Sequence, residues 1–216
     1  MPLRSQQRAA AAIAAGRFAA ERFRLELKDR KGKLTMFTTD EHVRVQTSIA
    51  DLQKLAPVFA KDGTVTAGNS SGITDGAVAI TVLSEAALEE SDAEPFARIV
   101  DYEIVGVPPE IMGIGPVPAV REILARQNLS LEDIDVIEIN EAFAAQVLAC
   151  DRDLRFDPER VNPNGGAIAL GHPIGCTRVR ITTTLVHEMK KRQSKRGLAT
   201  LCISGGMGIA LLVERV

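Results

Sequence analysis

The segment Val161–Arg180, VNPNGGAIALGHPIGCTRVR, places the tightest limits on what this chain can fold into. Gly165 and Gly166 allow a sharp backbone reversal that side chains would block. A short apolar run follows, then Gly171-His172-Pro173. Proline suits the first position of a helix, where no amide donor is needed, so Pro173 predicts a helix that opens directly after His172. An imidazole at a helix N-terminus is disfavoured as the cation and stays neutral, able to accept a proton. A capping histidine on a surface loop fits the same placement, and the local pattern leaves both readings open.

The flanking sequence reads as α/β. The N-terminal run rich in Gln, Arg and Ala predicts a helix of the mature chain ending near Gly16, in preference to a signal segment, because Ala is a poor membrane-seeking residue and a good helix former. Glu21–Phe37 predicts two short strands around the basic turn Arg30-Lys31-Gly32-Lys33, a solvated hairpin tip. Asp40–Arg44 reads as a loop and Ser48–Phe59 as a short helix stopped by Pro57. The turn-rich run GTVTAGNSSGITD leads into an expected apolar helix over Gly76–Ser84; its Asn69, Ser70 and Ser71 either cap that helix or face a polar ligand. Beyond Phe96 the texture changes. Ala97–Val107 predicts a strand and Pro108–Pro118 a Pro/Gly loop containing Met112. Val117–Asn128 predicts a helix, Ile134–Ile139 a buried strand, and Asn140–Cys150 a helix capped by Asn140. A helix to about Lys191, with His187 on a solvated face, precedes two strands, Leu198–Ile203 and Ile209–Val213, joined through Ser204-Gly205-Gly206-Met207-Gly208. Alternating strands and helices closed by a hairpin predict a mixed sheet. The expected division is 1–94 and 95–216.

Composition excludes several classes. Lys+Arg 26 against Asp+Glu 28 leaves net −2, which gives no basic surface for nucleic acid, and no apolar run approaches a membrane span. With no Trp and 4% aromatics, the core must be aliphatic. Three cysteines without short spacing point to a reducing compartment, the cytoplasm, and the absence of CxxC or HxxxH pairs argues against a metal site.

Asn140, His172 and Cys202 each fall at the end of an expected element. Element ends on one side of an α/β sheet are where ligands bind. A neutral His, a Cys and an Asn can serve as base, acid or nucleophile, and oxyanion donor in acyl or carbon–carbon bond chemistry. Cys202 alone equally suits a small buried hydrophobe, but the glycines beside it let backbone approach a substrate.

The segments SQQRAAAAIAAGRF, GTVTAGNSSGITDGA, MGIGPVPA, NEAFAAQ, VNPNGGAIALGHPIG and GLATLCISGGMGIAL resemble, in order and spacing, the thiolase family (acetyl-CoA acetyltransferase and 3-ketoacyl-CoA thiolase). The resemblance implies a thiolase fold, of which this sequence is similar to the end of the inserted coenzyme A-binding loop region (1–94) and the C-terminal half (95–216), a βαβαβαββ layer with a mixed sheet. It implies acyl transfer between acyl-CoA and acetyl-CoA, with coenzyme A thioesters as substrates and no further cofactor. His172 matches the histidine that activates the nucleophilic cysteine and holds the thioester oxygen. Cys202 matches the acid/base cysteine acting on the attacking acetyl carbon, and Asn140 the asparagine that positions an oxyanion-hole water. Ser71 matches a contact to the pantetheine arm, Arg44 a basic residue near the nucleotide end, and Phe59 an apolar wall. Met112 and Phe143 match the lining of the acyl tunnel.

The nucleophilic cysteine of the family lies in its N-terminal half and has no match here. Cys150 sits within the NEAF segment's helix and Cys176 follows the GHP motif. The expectation is therefore a chain that needs a second polypeptide carrying the N-terminal half, in a hetero-oligomer; the alternative is a non-catalytic, thiolase-like coenzyme A-binding or scaffolding partner. Two departures stand out. Ser204 replaces the first glycine of the family's CxGGG turn, putting a Cβ where a backbone N–H should meet the second oxyanion. Arg178 occupies a position that is usually glycine, so close helix packing there would have to adjust.

Overall fold

The computed structural model describes all 216 residues. Helix α1 (Pro2–Ala14) comes first, as expected, followed by a hairpin of β1 (Leu25–Lys28) and β2 (Leu34–Phe37). The carboxylate of Asp29 accepts the N–H groups of Lys31 and Lys33 and so closes the basic turn. The short helices α2 (Ile49–Gln53) and α3 (Glu85–Glu89) are capped by the Ser48 and Ser84 side chains. Four strands make the main sheet: β3 (Arg98–Gly106), β4 (Val136–Ile139), β5 (Arg196–Ile203) and β6 (Met207–Glu214). Their order is β3-β6-β5-β4, with only the β4–β5 pair parallel. Val161 bridges Ile137 in parallel and extends the sheet by a single residue.

Residue alternation along the strands sorts the core into two layers. Ile137, Ile139, Leu198 and Leu212 face α4 (Pro116–Arg126) and α5 (Ala144–Leu154), where they pack with Val120, Ile123, Val147 and Cys150. Val136, Ala199, Leu201 and Val213 face α7 (Thr177–Arg192), packing on Ile181, Leu185 and Met189. Each fully buried aliphatic side chain of this kind contributes about 1.5–3 kcal/mol. This is the expected α/β layer with a mixed sheet. In residues 1–94 only Ser5, Gln6, Ala9, Ala12 and Phe18 are buried, so that part rests on the sheet layer's core. Helix α7 shields β4 and β5 but not the far half of its sheet face, where Tyr102 and Ile104 of β3 remain 62% and 55% exposed. No helix is long and apolar enough to cross a membrane.

Several local expectations are corrected. Gly76–Ser84 is not helical: it runs as exposed irregular chain, and its β-branched Val78, Ile80, Thr81 and Val82 lose side-chain freedom in a helix. The loop 108–118 contains a 3-10 turn, Pro109–Ile114, and α4 begins within it at Pro116. Asn140 does not cap α5; the cap is Phe143, and Asn140 lies in the turn after β4. Pro173 does not open α7 either. A turn covers 174–176, with Cys176 as cap, so His172 stands one turn ahead of the helix. His187 is half-buried rather than solvated, its ring edge-on to Phe96 at 4.9 Å.

Candidate active site

The C-terminal ends of the parallel strands β4 and β5 carry Asn140 and Cys202. The N–H of Asn140 donates to Thr200 O (3.0 Å), which continues the ladder one residue past β4. The side chain of Asn140 is buried, with Nδ2 3.4 Å from His172 Nε2 and Oδ1 left without a hydrogen-bond partner. His172 is placed by glycine. Gly171 has φ +89°, and a Cβ there would strike Thr74, so helix α6 (Ala167–Leu170) can end and present His172 only through a residue without a side chain.

The tautomer of His172 follows from its other nitrogen. Nδ1 lies 2.7 Å from Thr177 Oγ1, and that hydroxyl donates its single proton to Pro173 O at 2.9 Å. The Thr177 oxygen must then accept from Nδ1–H, which leaves the Nε2 lone pair to accept from Asn140. Burial lowers the pKa of His172 first, and the positive charge of Arg180 lowers it further. The imidazole is neutral near pH 7 for these reasons, not because it begins a helix.

A strap formed by residues 69–73 ties the two halves of the site. Ser71 N–H donates to Ala142 O (3.0 Å), Ala144 N–H to Asn69 O (2.8 Å), and His172 N–H to Gly72 O (2.8 Å). Ser71 therefore runs directly between the Asn140 and His172 segments. The rings of Phe59 and Phe143 meet edge to face at 6.0 Å, although Phe59 is 75% exposed. Cys202 is buried on the α5 side of β5 and its thiol pKa is raised by burial; no hydrogen bond joins it to Asn140 or His172. Met112 is half-buried in the 3-10 turn, whose Gly113 O accepts from the Cys150 thiol at 3.4 Å. Arg44 is exposed, and its N–H donates to Gln6 Oε1 (2.8 Å), which ties it to α1 and not to the Asn140–His172 pair.

Ser204 is exposed and lies outside the left-handed region; only Gly205 (φ +86°) and Gly206 (φ +88°) need glycine in that turn. Arg178 is also exposed on α7 and forces no repacking within this chain.

The family model "Thiolase, C-terminal domain" matches residues 93–215, and "Thiolase, N-terminal domain" matches residues 1–86. The chain belongs to the thiolase family. It is 53% identical over 212 residues to the mitochondrial 3-ketoacyl-CoA thiolase of Homo sapiens, a match covering 98% of this chain and 53% of that protein. It is 52% identical over 213 residues to the acetyl-CoA acetyltransferase of Chromobacterium violaceum, covering 99% and 54%. Among solved structures, the Bacillus anthracis acetyl-CoA acetyltransferase superposes with TM-score 0.97 at 48% identity, over 100% of this chain and 54% of that one. The human mitochondrial 3-ketoacyl-CoA thiolase in complex with CoA superposes with TM-score 0.93 at 49% identity, over 100% and 53%. The chain spans about half the length of the curated relatives it matches.

Sequence reasoning missed several residues of this candidate site. Thr177 sets the histidine tautomer, and its only signal was a hydroxyl residue in the first turn of α7. Glu141 is the second residue of the NEAF segment, yet only its neighbours Asn140 and Phe143 drew attention. Asn162 has φ +44°, and its amide both accepts from Ile139 N–H and donates to Ile139 O at 2.9 Å, acting as a side-chain strand partner.

Proposed function

We propose that this chain provides the base, the acid/base thiol and the oxyanion-directed amide for thiolase acyl transfer between acyl-CoA and acetyl-CoA. The observation that carries this reading is the Asn140–His172–Thr177 chain of hydrogen bonds, which makes Nε2 the basic nitrogen of a neutral His172 against the residue that ends β4. In the acyl-transfer half-reaction a cysteine thiol from the family's N-terminal half gives its proton to Nε2 of His172. The thiolate attacks the thioester carbonyl, the C–S bond to coenzyme A breaks, and the departing coenzyme A sulfur takes the proton back from Nε2 of His172 to leave as the thiol. In the condensing half-reaction the thiolate form of Cys202, the minor form at neutral pH because burial raises its pKa, removes a proton from the acetyl methyl group. The enolate carbon then displaces the enzyme cysteine from the acyl carbon. Ser71, Arg44, Phe59, Met112, Phe143 and Ser204 are assigned to coenzyme A and acyl contacts. Coenzyme A thioesters are substrates here, and no resident cofactor is invoked.

The nucleophile is assigned to a second polypeptide carrying the N-terminal half, in a hetero-oligomer. Two observations support this. Neither Cys150 nor Cys176 is hydrogen-bonded to His172, the base that would activate it, and burial raises both thiol pKa values, Cys150 to about 12. The sheet face beyond α7 is apolar and bare at Tyr102 and Ile104. Three free thiols support a reducing compartment, the cytoplasm.

Co-expression with a polypeptide carrying the remaining half of a thiolase tests this reading. The expected result is a stable complex that cleaves acetoacetyl-CoA and loses that activity on His172→Ala. A complex that forms and binds coenzyme A without turnover would instead establish a non-catalytic, scaffolding role.

A further inference from the structure

Glu141 is a fully buried carboxylate beside Asn140, and the reaction described above gives it no part. Three donors converge on it: Ser5 Oγ at 2.6 Å and Ile168 N–H at 3.2 Å on Oε2, and Asn162 Nδ2 at 3.2 Å on Oε1. The Ser5 hydroxyl in turn accepts from Gly166 N–H at 3.0 Å. A Cβ on Gly166 would collide with the carboxylate, so this turn can close over Glu141 only at a glycine. Asn162 and Gly166 belong to the turn before α6, and Ile168 to α6 itself, whose end presents His172 through Gly171. The backbone that sets Asn140 and the backbone that sets His172 are thus fastened to one side chain, and that side chain is held from α1.

We infer that Glu141 is a positioning residue that fixes Asn140 against His172, with Ser5 of α1 as its anchor. The inference rests on the function proposed above. Both carboxylate oxygens are needed. An amide has one oxygen, so Glu141→Gln aims an N–H either at Asn162 Nδ2 or at the Ser5 and Ile168 donors. The Asn162 amide cannot turn over to compensate, because its other atom is engaged by Ile139 N–H.

The test uses the full chain paired with a complementing thiolase half, together with the ¹⁵N imidazole signals of His172 in the full chain. Glu141→Gln is expected to lower kcat about 100-fold and Ser5→Ala, which lies outside the reacting groups, about 10-fold, with KM within about two-fold, since small misplacements act on the reacting geometry. Far-UV circular dichroism should be unchanged and the His172 signals should move in both variants. Unchanged kcat in both variants, a loss that follows the unfolded fraction, or unmoved His172 signals would overturn the inference. If the unsubstituted pair is inactive, the functional reading falls, and the His172 signals alone decide the positioning role.

Discussion

Thr177 Oγ1 stands 2.7 Å from Nδ1 of His172 while its own proton goes to Pro173 O. One hydroxyl thereby selects the tautomer in which Nε2 is the base. Thr177→Val keeps the shape and removes the acceptor. Stability should fall by about 1 kcal/mol, and kcat of the reconstituted enzyme by about 100-fold, the scale on which an orienting partner of a histidine acts. Thr177→Ser should retain most of both, as steady-state kinetics and urea denaturation will show.

His172 has its pKa lowered by burial and then by Arg180, so the neutral form is favoured in the folded protein. The sign follows: the folded state binds fewer protons than the unfolded state between the depressed pKa and the ordinary value near 6.5. The resulting stability is present above about pH 6.5 and is lost as pH falls through the folded pKa. The acid limb of kcat/KM should therefore lie below pH 6.5. Because burial also lowers His42 and His187, the assignment comes from imidazole titration compared with His172→Ala.

Glu188 accepts from Arg17 and Arg192 at 2.6 Å and from Asn164 at 2.8 Å, which ties α7 to the turn before α6. These hydrogen bonds hold its carboxyl below the usual range against the opposing effect of burial. Its contribution is present above the unfolded pKa and is lost as pH falls through the folded one. Glu188→Gln should cost about 2–4 kcal/mol at pH 7, since it leaves paired cations short of a charge, and the cost should shrink by pH 3. Denaturation at the two pH values measures this.

Gly171→Ala places a side chain at φ +89° and drives it into Thr74. A loss of at least about 1 kcal/mol is expected from the backbone alone, with kcat falling further than KM because His172 is the next residue. Ser204→Gly, at an exposed position of ordinary φ, should change stability by less than about 0.5 kcal/mol.

The same contrast separates what was legible in the sequence from what was not. The strands and long helices could be read because alternation and helical periodicity are local, and the hairpin around Lys31 because its turn is self-contained. The cap of α5 could not. Asn140 has the right chemistry for a cap, but it is drawn back into the sheet by Thr200 O and into the site by His172, and Phe143 takes the cap position with no side-chain bond. Pro173 misled similarly, because its carbonyl is engaged by Thr177 in a turn that precedes the helix. Asn140, His172 and Phe143 fell in motifs that could be quoted. Glu141 and Ser5 meet across 136 positions of chain, a separation that no local pattern reports.

The bare stretch of β3 beside α7 has a consequence for how this protein should be handled. Water penalises the exposed rings and methyls of Tyr102 and Ile104 until another surface lies on them. Any body that seats there binds only the folded chain, so resistance to denaturant becomes a property of the mixture and rises with the partner's concentration by mass action. A melting midpoint recorded at a single dilution would describe the tube as much as the molecule.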